Sequence, residues 1–253
     1  MLNIALNTFK EIVRNKFLYL ILFFAFVFII FSLLLGKLTI WDDSKIIVDF
    51  WLAMIQIFWL VGVLFVWAQL LFKEIEWKTI FLILSKPIKR YEFILGKFFW
   101  FSATIFLIVL LQSILFLSVL LIKGIDITSL ISFSLLFTFF KLEILLWLVF
   151  FFSTFMSNMI TILVTLMIYF LSHSFTIIID IANRTWNIVA VYFSKGLQLL
   201  FPPFEALNIK DVIWSFTNFH ANYFIFNTAY SLVYLTIILF FTVQIFNKKK
   251  FEN

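Results

Sequence analysis

Long uncharged apolar runs constrain this chain more than any other feature it carries. Crossing about 30 Å of hydrocarbon takes roughly 20 helical residues, and runs of that order recur near residues 17–36, 50–72, 98–122, 130–156, 159–179 and 223–246. In lipid every backbone N–H and C=O must be satisfied within the segment itself, so each run is read as a helix. Composition excludes the soluble alternative: of 253 residues, 64% are hydrophobic and 13% charged, more apolar surface than a soluble core can hide. The expected fold is all-α, a single integral membrane domain over residues 1–253 with six transmembrane helices. Gly36 and Lys37 follow the first run in place of a small-residue cleavage site, so that run is expected to be retained as a span.

Charge sets the expected orientation. Lys10, Arg14 and Lys16, the stretch from Lys73 to Lys97, and Lys248, Lys249 and Lys250 fall on one side of a six-span arrangement, while Asp42, Asp43, Asp49, Asp126 and Asp180 fall on the other. By the positive-inside bias the first group is cytoplasmic, which places both termini inside in a multi-pass protein of the plasma (inner) membrane. Ahead of the first span, Leu2, Ala5, Leu6, Phe9, Ile12 and Val13 share one helical side opposite Asn3, Asn7, Lys10, Glu11 and Arg14. That pattern predicts an amphipathic helix in the inner interface.

The long outer loop, Asp180 to Asn222, carries a second such pattern. Trp186, Val189, Phe193, Leu197 and Leu200 recur at helical spacing before Pro202 and Pro203, predicting a helix on the outer leaflet between spans five and six. It fits an outer gate or lip and fits a plain interfacial cap equally.

Two features lie within the membrane. Lys141 and Glu143 sit near the middle of the fourth span, where a lipid-facing charge costs at least about 2.5 to 3.5 kcal/mol, so both must face protein or water. Two residues apart, they point to different sides of the helix, and each needs a partner from another helix or a second copy of the chain. Structural pairing and contact with a substrate or ion both remain open. On the fifth span Thr161, Thr165, Ser172 and Thr176 form one stripe with Tyr169 at its edge, a pattern that suits helix contact more than conduction.

Catalytic chemistry finds no footing. There is no cysteine, which removes disulfides and thiolate ligands, and the five glycines cannot be arranged into a phosphate-binding loop. His173 and His220 are far apart and fit no two-ligand helical spacing, so no metal or cofactor is expected. No nucleic-acid-binding pattern is apparent either.

The exceptional stretch is KEIEWKTIFLILSKPIKRYEFILGK, Lys73 to Lys97, between the second and third spans. Residues 74–84 lack a breaker and predict a short helix; Pro87 forces Lys86 out of helical geometry; a second short helix through Arg90, Tyr91 and Glu92 leads back to the bilayer, with Gly96 permitting close approach. This describes a charged cytoplasmic hairpin, read either as a docking surface or as a basic loop that only fixes topology. Its residues Glu74, Glu76, Thr79, Ile80, Ser85, Lys86, Pro87, Ile88, Arg90, Glu92, Gly96 and Lys97 resemble the cytoplasmic segment of the ABC-2-type permease family. The chain departs from that pattern at Trp77 and Lys78, where the family commonly has a small residue. The later stretches FFSTFMSNMITILVTLMIYFLS and LFPPFEALNIKD are similar to the same family, in the branch that includes the permease of the copper-enzyme (nitrous-oxide-reductase) maturation transporter.

The resemblance implies a coupling hairpin, an N-terminal elbow helix, a separate cytoplasmic ATPase subunit resting on Glu74, Glu76, Thr79, Lys86, Pro87, Arg90 and Glu92, and a second permease copy as a homodimer. The chain would then be the non-enzymatic transmembrane subunit of an exporter of unidentified substrate. A non-transporting scaffold or self-protection protein, and an ion-gradient-driven carrier using Lys141 and Glu143, stand as alternatives.

Overall fold

A computed structural model of the chain describes residues 23–24, 26–31, 34, 43–68, 72, 90–185, 188–210, 213–214 and 221–248. Their regular structure is helical throughout, with no strand among the described residues. Helix α1, Asp43–Val61, runs into a π-helical turn, Gly62–Trp67. There follow α2 (Arg90–Lys123), α3 (Ser129–Ser153), α4 (Asn158–Arg184), the short α5 (Ile188–Leu200) and α6 (Ala221–Lys248). Five helices, α1 with its π turn, α2, α3, α4 and α6, are long and apolar enough to cross a membrane. The first expected span, 17–36, is described only in part; Phe28 there is buried, its ring edge-on to Trp51 and Phe58. The expected helix over 1–16 and residues 73–89 of the charged hairpin lie outside the described residues.

Two expected boundaries move. The second span begins at Asp43 rather than 50, because Asp49 is accommodated within the helix by the Trp214 indole, whose Nε1 donates to Oδ1 at 3.1 Å. The short helix expected at Arg90 to Glu92 is the first turn of α2, continuous with the span. Nothing between Arg90 and Lys97 breaks a helix, and a Cβ added at Gly96 would meet nothing within 4 Å, so no close approach uses that glycine. Lys97 is buried, its ammonium 5.7 Å from the Phe93 ring centre and 6.0 Å from Phe101, which lets a cation enter the bundle on aromatic faces.

Short loops make the bundle antiparallel. Gly124, at φ 69°, closes α2 with Ile125 N donating to Leu120 O at 2.9 Å and Gly124 N to Leu121 O at 3.1 Å, a left-handed helix end that favours glycine. Residues 154–157 then turn α3 into α4. The two ends of the bundle are here called the Gly124 end and the Thr154 end. Helix α3 is the axis, packed against α1, the π turn, α2, α4 and α6. Between α1 and α2, Trp51 stacks on Phe116, and the Trp59 indole donates to Gln112 Oε1, giving a buried polar pair a partner across the helices.

Helix α5, in the stretch where an outer helix is expected, is tied along α6. Its C-terminal carbonyls are bonded deep in α6: Tyr230 Oη donates to Leu199 O at 3.3 Å and Tyr234 Oη to Leu200 O at 3.2 Å. Since Tyr234 lies midway along Ala221–Lys248, α5 descends from the Gly124 end to half the bundle's depth and turns back at Pro202. Ile188, Val189, Tyr192, Phe193, Leu199 and Leu200 are exposed, as are Lys195 and Gln198, and only Ser194 is buried, so a broad apolar face is set against a narrower polar one. At 13 residues, about 20 Å, the helix is too short to cross.

Candidate functional site

Past Pro203 the chain folds inward. Phe204 N donates to Pro202 O, Leu207 N to Pro203 O and Asn208 N to Glu205 O, making consecutive turns that need no regular helix. These turns aim Phe204, Leu207, Ile209 and Ile213 into the core, where all four are buried. Residues 201–210, with 213 and 214, therefore form a plug seated in the Gly124 half of the bundle.

Every neighbouring helix holds the plug by a polar or aromatic contact. From α6, Tyr223 Oη donates to Ala206 O at 2.6 Å. From α1, Asp49 accepts from Trp214, and Gln56 Nε2 donates to Tyr169 Oη on α4 at 2.9 Å. Tyr169 and His173, one turn apart on α4, face Phe204 with ring centres 5.3 and 6.0 Å away, the imidazole stacked at 17°. From α3, Lys141 Nζ donates to Asn208 Oδ1 at 3.3 Å. The charges of Lys141 and Lys210 both reach His173, and that of Glu205 reaches Tyr169 and Tyr223. Asp49 and Lys141 thus bond into a largely aromatic centre.

Glu143 belongs to a separate contact. Its Oε2 accepts from Ser102 Oγ on α2 at 2.6 Å, so the two buried charges of α3 do point to different sides, one to the plug and one to α2. Trp147, one turn further, lies close to the same carboxylate. Its Nε1 and the carboxylate's Oε1 do not meet hydrogen-bond geometry and have no partner among the described residues. Lys141 and Glu143 each find a partner elsewhere in the same chain, Asn208 and Ser102, which is one of the two sources expected for them.

The expected stripe on α4 divides. Thr161, Thr165 and Ser172 are buried and Thr165 Oγ1 donates to Thr161 O at 2.8 Å, whereas Thr176 is exposed. Phe175 and Ala182 complete the buried side. This side packs near the π turn, where Leu64, Ala68, Phe72 and Val149 cluster with Ile162 and Leu166. Glu92 lies in the first turn of α2, which Arg90 begins. Glu74, Glu76, Thr79, Lys86 and Pro87 lie outside the described residues, so their contacts are not part of the site.

His173 and Asn208 escaped the sequence reading. His173 falls near the end of the expected fifth span at 179, but α4 continues to Arg184 and leaves the imidazole stacked on Phe204. The signal that would have found Asn208 is the alternation after the two prolines, with Phe204, Leu207 and Ile209 interleaved among Glu205, Asn208 and Lys210. Among the described residues no group of His, Asp and Glu could hold a metal ion. The fold and site define a class: the described helices fit a multi-pass, all-helical integral membrane protein. No family model matches the chain, and none of the curated proteins does.

Proposed function

We propose that this chain is the transmembrane permease subunit of an ATP-binding-cassette exporter, coupled through its Lys73 to Lys97 hairpin to a separate cytoplasmic ATPase and working as a homodimer in the plasma membrane. The observation that carries this reading is the hairpin itself: six basic residues (Lys73, Lys78, Lys86, Lys89, Arg90, Lys97) and three acidic ones (Glu74, Glu76, Glu92) in an ABC-2-like order, set between α1 with its π turn and α2. A chain with such a docking segment and no phosphate-binding loop requires its energy source in another subunit.

The bundle supplies a route for that coupling. Force on the hairpin reaches α2 directly through Arg90. From α2 it passes to α3 at the Ser102–Glu143 bond, and from α3 to the plug at the Lys141–Asn208 bond. Rigid helices joined by charge-assisted hydrogen bonds carry displacement between the two ends of the bundle, and rocking them would open a path beside the plug.

Co-purification in mild detergent tests the assignment. An ATPase carrying a P-loop should accompany the chain and change its turnover on binding, and Glu76→Lys or Arg90→Glu should weaken the association at least several-fold. A cysteine introduced at position 88 of this cysteine-free chain should label only from the cytoplasm, and one at 43 only from outside. External labelling at 88, or no ATPase under gentle conditions, overturns the reading.

A further inference from the structure

Two separate cavities lie between α4 and α6, and their walls differ in chemistry. The one toward the Gly124 end has a volume of about 200 Å³ and takes hydrogen-bonding side chains from four elements: Ser172 from α4, Gln198 from α5, Glu205 from the plug, and Asn227 and Tyr230 from α6. The one toward the Thr154 end, about 250 Å³, is walled by residues such as Leu148, Ile168 and Ile238, and its single hydroxyl, on Tyr234, is donated to Leu200 O. Most polar groups of the first cavity are already engaged. Glu205 acts on Tyr169 and Tyr223, Asn227 Nδ2 donates to Tyr223 O at 2.9 Å, and Tyr230 Oη donates to Leu199 O at 3.3 Å. Ser172 is the exception, 3% exposed and with a hydroxyl that has no partner among the described residues. In these helices a buried hydroxyl ordinarily returns to the carbonyl four residues back, as those of Thr165, Ser231 and Thr242 do within 2.8 Å. That of Ser172 does not, so it is presented to the cavity that its residue lines.

We propose that the cavity toward the Gly124 end is a binding chamber for water and for neutral solutes of a few heavy atoms that both donate and accept hydrogen bonds, with Ser172 as the side chain that takes them. A polar cavity fills when its occupant finds about two to four polar partners, whereas an apolar one of similar size stays dry. Here the Ser172 hydroxyl, the Gln198 amide and the Asn227 side-chain oxygen offer donors and acceptors from three helices. The occupant is neutral because Glu205, the charged residue of the described wall, already acts on the tyrosines around the plug, and a charge without a partner is costly to bring out of water. Lys195, exposed and three residues before Gln198 on α5, carries the polar edge on toward the Gly124 end. In the other direction the turn from Leu199 to Pro203 stands between the two cavities: Leu200 and Phe201 line the apolar one, Leu199 and Pro203 the polar one, and Pro202 both. As a binding chamber this rests on the cavity alone; as the outward end of an export path beside the plug it rests on the permease reading.

The test uses the full chain in lipid nanodiscs with 2-hydroxyethyl methanethiosulfonate, a neutral reagent of the proposed class. A thiolate attacks its sulfenyl sulfur, forming a mixed disulfide and releasing methanesulfinate, and a thiol held in a dry apolar wall stays protonated and unreactive. Single cysteines are introduced into this cysteine-free chain with Ser172 and Asn227 left in place: Gln198→Cys and Ala206→Cys in the polar wall, Ile168→Cys and Ile238→Cys in the apolar one. The first pair should be modified at least about ten-fold faster than the second. Adding Ser172→Ala to Ala206→Cys should slow modification about two- to ten-fold, the loss of one hydrogen bond. Equal rates at the two walls overturn the proposal, and so does a rate at 206 indifferent to Ser172→Ala in well-folded protein. Two positions in each wall keep the comparison should one variant fold poorly. Fast modification of the polar wall in a chain that captures no ATPase upholds the chamber and removes the export path. An ATPase complex in which 198 and 206 are as slow as 168 and 238 does the reverse.

Discussion

Helices α3 and α4 are adjacent in sequence, nearly equal in length at 25 and 27 residues, and each apolar enough to cross a membrane, yet they hold opposite places in the molecule. In α3, 78% of the most apolar window is buried within the protein; in α4 the share is 17%. Apolar content cannot separate them, because lipid is as good a solvent for leucine as a neighbouring helix is. Polar residues do. Those of α3 lie on more than one side: Ser134, Thr138 and Lys141 follow one line toward the plug, and Glu143 looks toward α2. Those buried on α4, Thr161, Thr165 and Ser172, follow a single stripe. A membrane helix with polar groups on several sides needs protein on several sides, and one with a single stripe can leave the rest to lipid.

The largest expected contrast comes from removing bulk on each helix. Ile144 on α3 is fully buried, so Ile144→Ala should cost about 2 to 5 kcal/mol by leaving a cavity. Leu163 on α4 is 53% exposed, and Leu163→Ala should stay within about 0.5 kcal/mol because lipid fills the space. Thermal unfolding midpoints in one detergent compare the two, and equal shifts would mean that the helices do not differ as described.

A second contrast lies within α3. Lys141→Met keeps much of the side-chain volume but withdraws the donor from Asn208, and a hydrogen bond to a charged group is worth about 1.5 to 3 kcal/mol. The plug should loosen, so a cysteine at 207, where Leu207 is buried, should gain reactivity as the unfolding midpoint falls. A Lys141→Met variant with an unchanged midpoint but no response of a bound ATPase would move Lys141 from holding the plug to handling cargo or an ion.

Five of the long helices were legible from the sequence because length and hydropathy answer to one physical quantity, the thickness of the bilayer. Their ends were less so, since Asp49 looked like a boundary until Trp214, distant in sequence, gave it a partner inside the helix. Lys141 and Glu143 were recognisable as buried charges needing company from another helix or a second copy, though which residues supply it was not. Asn208 and Ser102 are 67 and 41 positions away, and only the alternation after Pro203 marks the first of them. Helix α5 was placed in sequence by its spacing, with Val189, Phe193 and Leu200 on one face and Ser194, Lys195 and Gln198 across from it, but the depth it reaches beside α6 has no local signal. The plug was visible only as a stretch resembling a known family, since short turns have no period to detect.

The smallest expected effect concerns that depth. A helix ending within an apolar region leaves carbonyls that water cannot reach, and each requires a donor. For α5 the donors are Tyr230 and Tyr234, on successive turns of α6, and together they hold its last turn beside Pro202. Tyr230→Phe and Tyr234→Phe preserve the rings and remove only the hydroxyls, so each should cost about 1 kcal/mol, the ordinary net worth of a hydrogen bond. Because both act on the same helix end, the double variant should lose more than the two single losses combined, once both carbonyls are stranded. A spin label on α5 at position 193 should respond in the double variant by rising toward the membrane surface, read as weaker quenching by a lipid-soluble agent. Were α5 an interfacial cap, the label would sit at the surface already and both tyrosine substitutions would leave its depth unchanged.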